Sequence, residues 1–181
     1  MEVQSCTLCN SYRLEDDRKQ ACYRVNLKRK GVMVESLMCC LCGKEEESYR
    51  HLFFDCSFAW CVWCLCFKWL GVSFVSHIDP MSNFDQFGMT LFSYLINIVR
   101  STIWVGVVSE IWNHRNFIIF KRGVTDESEV FALVQVKVWS WVSAKVRFAS
   151  FSYSDWCLEP VESMKLVSWS CFLGVARARC S

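Results

Sequence analysis

The chain has 181 residues, of which 53% are hydrophobic and 21% charged, and this balance is too apolar for intrinsic disorder. A net charge of +2 does not mark the whole chain as a polyanion binder. Seven Gly and two Pro stand against nine Trp and fourteen Phe, so the expected class is mainly α, with long helices rather than a sandwich of short strands.

The opening "MEVQSCTLCNSYRLEDD" lacks the apolar core of a secretory signal, so thirteen cysteines read as thiols or metal ligands inside the cell, nuclear or cytoplasmic. Two apolar runs compete as membrane spans. "CSFAWCVWCLCF" (56–67) is short and flanked by Asp55 and Lys68. "LFSYLINIVRSTIWVGVV" (91–108) carries Arg100 at its centre, where a charge costs about 2.5–3.5 kcal/mol on insertion scales. Both read as buried helices, and no membrane partner is expected.

Residues 1–22 show no periodicity. "YRVNLKRKGV" (23–32) predicts a short basic helix ended by Gly31, because glycine tolerates the left-handed cap. Its cations read equally well as a solvated helix end or as phosphate contacts. Glu45, Glu46 and Glu47 then precede a long apolar run, and acids suit the first turn of a helix. The expected helix starts near Ser48 and continues to about Trp69, apolar nearly all round. A connector at 71–83 leads to a helical region at 84–156. Within it, Trp104, Val107, Val108, Ile111 and Trp112 keep helical spacing, and so do Val130, Leu133, Val134, Val138, Trp141 and Val142. The two helices, 84–121 and 127–148, should pack antiparallel. They turn through "FKRGVTDESEV" at Gly123, and Asp126 with Glu129 resembles a capping box. The pattern fades after Tyr153, and 157–181 is read as a tail.

The densest chemistry lies in "MCCLCGKEEESYRHLFFDC" (38–56). Cys39, Cys42, His51 and Cys56 have the spacing C-x2-C-x8-H-x4-C. Three thiolates and one imidazole are a common set for tetrahedral structural zinc, and a closed set of four leaves no place for a reacting water. In a cysteine-rich chain a C-x2-C pair arises by chance, as at Cys6–Cys9 and Cys61–Cys64, but neither is followed by a histidine and then a fourth ligand at finger-like spacing. Cys40 is a rival to Cys39. It leaves one residue before Cys42, a poorer fit, so Cys39 is preferred. His51 and Cys56 lie five positions apart, so a helix through them must fray or begin between them.

The stretch "GVMVESLMCCLCGKEEESYRHLFFDCSFAWCVW" resembles the zinc-binding domain of plant non-LTR (LINE-type) retrotransposon reverse transcriptases. Lys30-Gly31-Val32, C-x-x-C-G, the acids, His51-Leu52-Phe53-Phe54, Cys56 and Trp63 occur in that family's order. "IWNHRNFIIFKRG" (111–123) resembles its downstream W-x-x-R-N-x-x-x-F segment, here Trp112, Arg115, Asn116 and Phe120. "FSYSDWCLEP" (151–160) resembles its usual ending. The resemblance implies a zinc-stabilised turn and helix module at 23–70 followed by long packed helices. It also implies Zn2+ on Cys39, Cys42, His51 and Cys56, and RNA or DNA as partner. Arg24, Lys28, Arg29 and Lys30, with Arg50 beside them, are the expected phosphate contacts. Residues 1–22 depart from the family and read as truncated or replaced.

No enzyme is expected. The only paired aspartates, Asp16-Asp17, lack a strand pattern, and two-metal phosphoryl chemistry needs convergent carboxylates on a rigid scaffold. His77 and His114 have no partner motif, and His114 reads as a packing histidine. The alternatives are a helical module that contacts a polymerase domain or another protein, or a retroelement remnant without function.

Overall fold

The structure, a computed structural model, describes residues 23–72, 94–145, 151–163 and 165. The expectations for residues 1–22, most of the 71–83 connector, 84–93, 146–150 and most of the tail lie outside the described residues. No described helix is long and apolar enough to cross a membrane.

Helix α1 (Arg24–Arg29) ends as its sequence predicts. Gly31 takes φ +78°, and the Val32 N–H reaches back to Leu27 O at 3.0 Å, which closes the helix. A small hairpin follows. Cys39 N–H donates to Glu45 O at 2.7 Å, Glu47 N–H donates to Leu37 O at 2.8 Å, and Met38 pairs antiparallel with Glu46. Gly43, at φ +67°, makes the turn between them.

The helix expected from Ser48 to Trp69 is broken between His51 and Ser57, as the five-position spacing of the two ligands requires. A π turn occupies His51–Asp55, Cys56 is extended at ψ 131°, and α2 (Ser57–Trp69) starts afresh. The break frees carbonyls that a continuous helix would use. The buried Trp63 indole N–H donates to one of them, Phe53 O, at 2.8 Å. Helix α2 buries Phe58, Ala59, Val62, Trp63, Cys66 and Phe67 along one side. The expectation of an all-round buried helix fails at Cys61, Cys64 and Trp60, which is 38% exposed.

Helices α3 (Tyr94–Lys121) and α4 (Glu127–Lys145) pack antiparallel, as the spacing predicts. Each contributes a row at four-residue steps: Val99, Ile103, Val107 and Ile111 on α3, and Val130, Val134, Val138 and Val142 on α4, all buried. Leu133, expected on the buried stripe, is 45% exposed. Gly106 marks the close approach, since a Cβ there would lie 2.7 Å from Val138 Cγ2. In the turn, the left-handed residue is Arg122 at φ +53° rather than Gly123. Gly123 is required for room instead, because a side chain there would run into the Phe117 ring.

Asp126 caps α4 by accepting from Ser128 N–H at 2.9 Å and Glu129 N–H at 3.0 Å. The return half of the expected box does not form. The Asp126 N–H goes to His114 Nε2 at 3.3 Å. His114 is buried and stacked on Phe58, with ring centroids 5.2 Å apart, so it packs as expected and also finishes the cap of a neighbouring helix. Order continues past the point where the sequence pattern fades. Ser152 and Asp155 form a complete capping box on α5 (Tyr153–Leu158). Its fully buried Trp156 donates to Gln135 O at 3.0 Å. One apolar core joins the hairpin, the π turn and all the long helices.

Candidate metal centre

The hairpin and the π turn bring two ligand pairs together. The hairpin supplies Cys39 and Cys42 on either side of a turn closed by Gly43 N–H to Cys39 O at 2.8 Å. The second pair depends on the π turn. In an α-helix, residues five apart point about 140° apart, on nearly opposite faces. The wider turn, with Cys56 N–H bonded to His51 O at 2.8 Å, brings positions 51 and 56 onto one side.

The four ligating atoms of Cys39, Cys42, His51 and Cys56 all lie within 4.8 Å of one another. Cys39 Sγ and Cys56 Sγ are 3.9 Å apart, and Cys42 Sγ is 3.2 Å from His51 Nε2. Sulfurs bound tetrahedrally at about 2.3 Å would be separated by about 3.8 Å, so the donor set fits zinc. Cys39, His51 and Cys56 are buried, whereas Cys42 is half-buried at the rim.

The outer contacts agree with this. Glu45 Oε2 lies 3.2 Å from His51 Nδ1, but off the line of a hydrogen bond, so that buried nitrogen has no aligned partner. Glu45 is well exposed, and a small rotation suffices to align it. A carboxylate on Nδ1 fixes the tautomer that leaves Nε2 as the ligand. The hydrogen bond from Cys56, with the N–H groups of Cys42 and Leu41, holds the Cys39 thiol down at about 5 against the opposing effect of burial. The same contact pushes Cys56 far above the usual thiol range. The two sulfurs, 3.9 Å apart, lie where a dication would draw both to thiolate.

Cys39 and Cys40 point in different directions. Cys40 Sγ turns away from the cluster, 3.8 Å from Glu47 Oε2 and 3.9 Å from Arg115 O. Burial and then the Glu47 carboxylate push its thiol up to about 12.

Glu47 is the residue that sequence reasoning missed. Read only as one of three acids in the first turn of a helix, it is fully buried. Arg115 on α3 grips it twice, with Nη2 2.6 Å from Oε1 and Nε 3.3 Å from Oε2. The Arg24 N–H adds a bond to Oε1 at 3.2 Å. The available signal was the pairing of the acidic run with the W-x-x-R-N segment, two matches to one family some 68 positions apart.

Of the expected phosphate contacts, Arg24 is engaged with the hairpin. Its Nη1 donates to Ser36 O at 3.1 Å and Met38 O at 2.9 Å, and its Nε lies 3.9 Å from Glu47 Oε2. Lys28, Arg29 and Lys30 are exposed at the end of α1. Arg50 is paired with Asp55 at 2.9 Å on the surface.

No match is found among curated proteins or among solved structures. Residues 18–63 match the family described as zinc-binding in reverse transcriptase, a stretch that contains all four clustered ligands and Trp63. The match ends before α3, and four protein donors leave no open coordination position for catalysis. Residues 18–63 are therefore similar to a non-catalytic zinc-binding module of reverse transcriptases, and the described part of that stretch packs against a helical body.

Proposed function

We propose that the chain binds one Zn2+ through Cys39, Cys42, His51 and Cys56, and that the loaded module offers the basic end of α1 to the phosphates of RNA or DNA. The convergence of the four ligating atoms within 4.8 Å carries the metal reading. The ion would order the hairpin, which has little apolar surface of its own. Arg24 would tie the start of α1 to that hairpin, leaving Lys28, Arg29 and Lys30 to meet the backbone. An intracellular compartment, nuclear or cytoplasmic, belongs to this reading, because thiols that hold zinc must stay reduced.

Metal analysis of protein purified under reducing conditions tests the first half, with one zinc per chain expected and none refuting it. Structural zinc in small fingers is worth about 10–16 kcal/mol, so Cys42→Ser should abolish hydrogen-exchange protection over 35–60. Unchanged protection would show the metal to be dispensable. For the second half, replacing Lys28, Arg29 and Lys30 with Ala should flatten the salt dependence of nucleic-acid binding by about 2–3 in slope. Loss of binding without a change in slope would refute phosphate contact.

A helical protein-interaction role, toward a polymerase domain or another protein, is favoured by a different observation. Phe117, Phe120, Leu133 and Val136 are 46%, 72%, 45% and 46% exposed on α3 and α4. That role predicts association that is insensitive to salt.

A further inference from the structure

The family match ends at residue 63, yet the most deeply buried charge in the module is met by a residue on α3. Glu47 closes the metal-bearing hairpin through its N–H to Leu37 O and through the adjoining Met38–Glu46 pairing. Its carboxylate is sealed from solvent, and Arg115, also buried, neutralises it with a two-point grip. Arg24 Nε stands farther off, 3.9 Å from Oε2, so a carboxylate left in that place without Arg115 would be strongly disfavoured. The hairpin could relieve it only by opening toward water. Opening moves Cys39 and Cys42, which stand on that hairpin, away from His51 and Cys56, which stand on the π turn. Cys40 strengthens the link, because its thiol touches both Glu47 Oε2 and Arg115 O. Trp112, one turn before Arg115, packs edge-on against Tyr23 at 5.5 Å and lies 6.5 Å from Phe53 in the π turn.

We propose that Arg115 is a positioning residue of the metal centre: by neutralising Glu47 it holds the hairpin in the conformation that sets Cys39 and Cys42 against His51 and Cys56, so the zinc-binding unit includes residues 112–116 of α3. This rests on the zinc reading above. It makes metal affinity and order in the second half of α3 reciprocal, because a coupling between two sites acts equally in both directions.

The test uses the full chain and Zn2+ itself, with affinity measured by competition against a chromophoric chelator. Arg115→Met should weaken zinc by about 10–100-fold, the range usual for lost outer-shell partners. Glu47→Gln keeps the size and the acceptor oxygen, and should weaken it by about tenfold. It is the deciding variant if Arg115→Met does not fold. Lys137→Met removes the Glu110 partner on the opposite side of α3 and should leave zinc affinity unchanged. In hydrogen exchange, zinc should protect 110–118 in the wild type and not in Arg115→Met. Wild-type affinity in both variants would overturn the proposal, as would an equal loss in Lys137→Met, which would reduce the effect to general helix stability. A wild-type chain that takes up no zinc would overturn the underlying reading and this proposal with it.

Discussion

Replacing Trp63 with Phe probes the joint between the π turn and α2. The indole is 1% exposed and lies among Phe54, Phe67 and Trp104, at centroid distances of 6.3, 6.1 and 6.4 Å. Its Nε1 donates to Phe53 O at 2.8 Å. Phenylalanine removes two ring carbons and the nitrogen. The carbons contribute about 1.5 kcal/mol, at about 0.8 kcal/mol each. The stranded buried carbonyl adds about 1–3 kcal/mol. The expected loss is therefore about 3 kcal/mol, read as a lower urea midpoint at constant m in zinc-saturated protein. Benzothienylalanine at the same position keeps the shape and deletes only the donor, and should cost about 1–3 kcal/mol. A cost below about 0.5 kcal/mol for both substitutions would refute the view that this indole closes the break at Cys56.

Three further outcomes are expected. Gly106→Ala gains about 1 kcal/mol of helix propensity but drives a methyl to 2.7 Å from Val138 Cγ2, an overpacking cost of about 1–3 kcal/mol, so chemical denaturation should show a net loss of about 1 kcal/mol. Cys40→Ala should retain stoichiometric zinc, whereas Cys39→Ala should lose it, and the reverse result would reassign the ligand. Burial holds the His114 imidazole below its usual value against the pull of Glu129, Asp126, Glu127 and Glu110. The neutral ring is the form that accepts the Asp126 N–H. Its contribution to stability should therefore be complete above the ordinary imidazole pKa of about 6.5 and fall away as pH drops through the lower folded value. Comparison with His114→Gln isolates this part, and parallel stability profiles for the two proteins would refute it.

What could be read from the residues was local. Ligand spacing singled out four positions, and the structure places their donor atoms together. Gly31 and Gly43 mark turns because their left-handed backbone is a property of single residues. Apolar periodicity found the antiparallel pair of α3 and α4, because each row repeats every four residues over several turns. Long-range facts left no such trace. Glu47 looks like its neighbours Glu45 and Glu46, and only its partners distinguish it, Arg115 above all and Arg24 beside it. The break before Ser57 follows from the ligand spacing, but its π form is hidden within an apolar run, since it serves the geometry of two side chains rather than the propensity of any residue. His114 reads correctly as packing, but its partner lies across a turn, and nothing in its own helix announces that it receives the Asp126 N–H.

The π turn at His51–Asp55 has a consequence for how this sequence can change length. Elsewhere on a surface helix, losing one residue rotates the following chain and the loops absorb it. Here, deleting any residue between His51 and Cys56 would let the wide turn relax into an ordinary α-helical one, locally better hydrogen-bonded and regular. The histidine and the cysteine would then be neighbours on an improved helix, while α2 and its buried face swung by about 100° relative to the hairpin. Local regularity and the packing of α2 are opposed at this point. The four-residue gap is thus a fixed ruler, and a residue gained or lost should be better tolerated at the exposed tip of the hairpin, at Gly43 and Lys44.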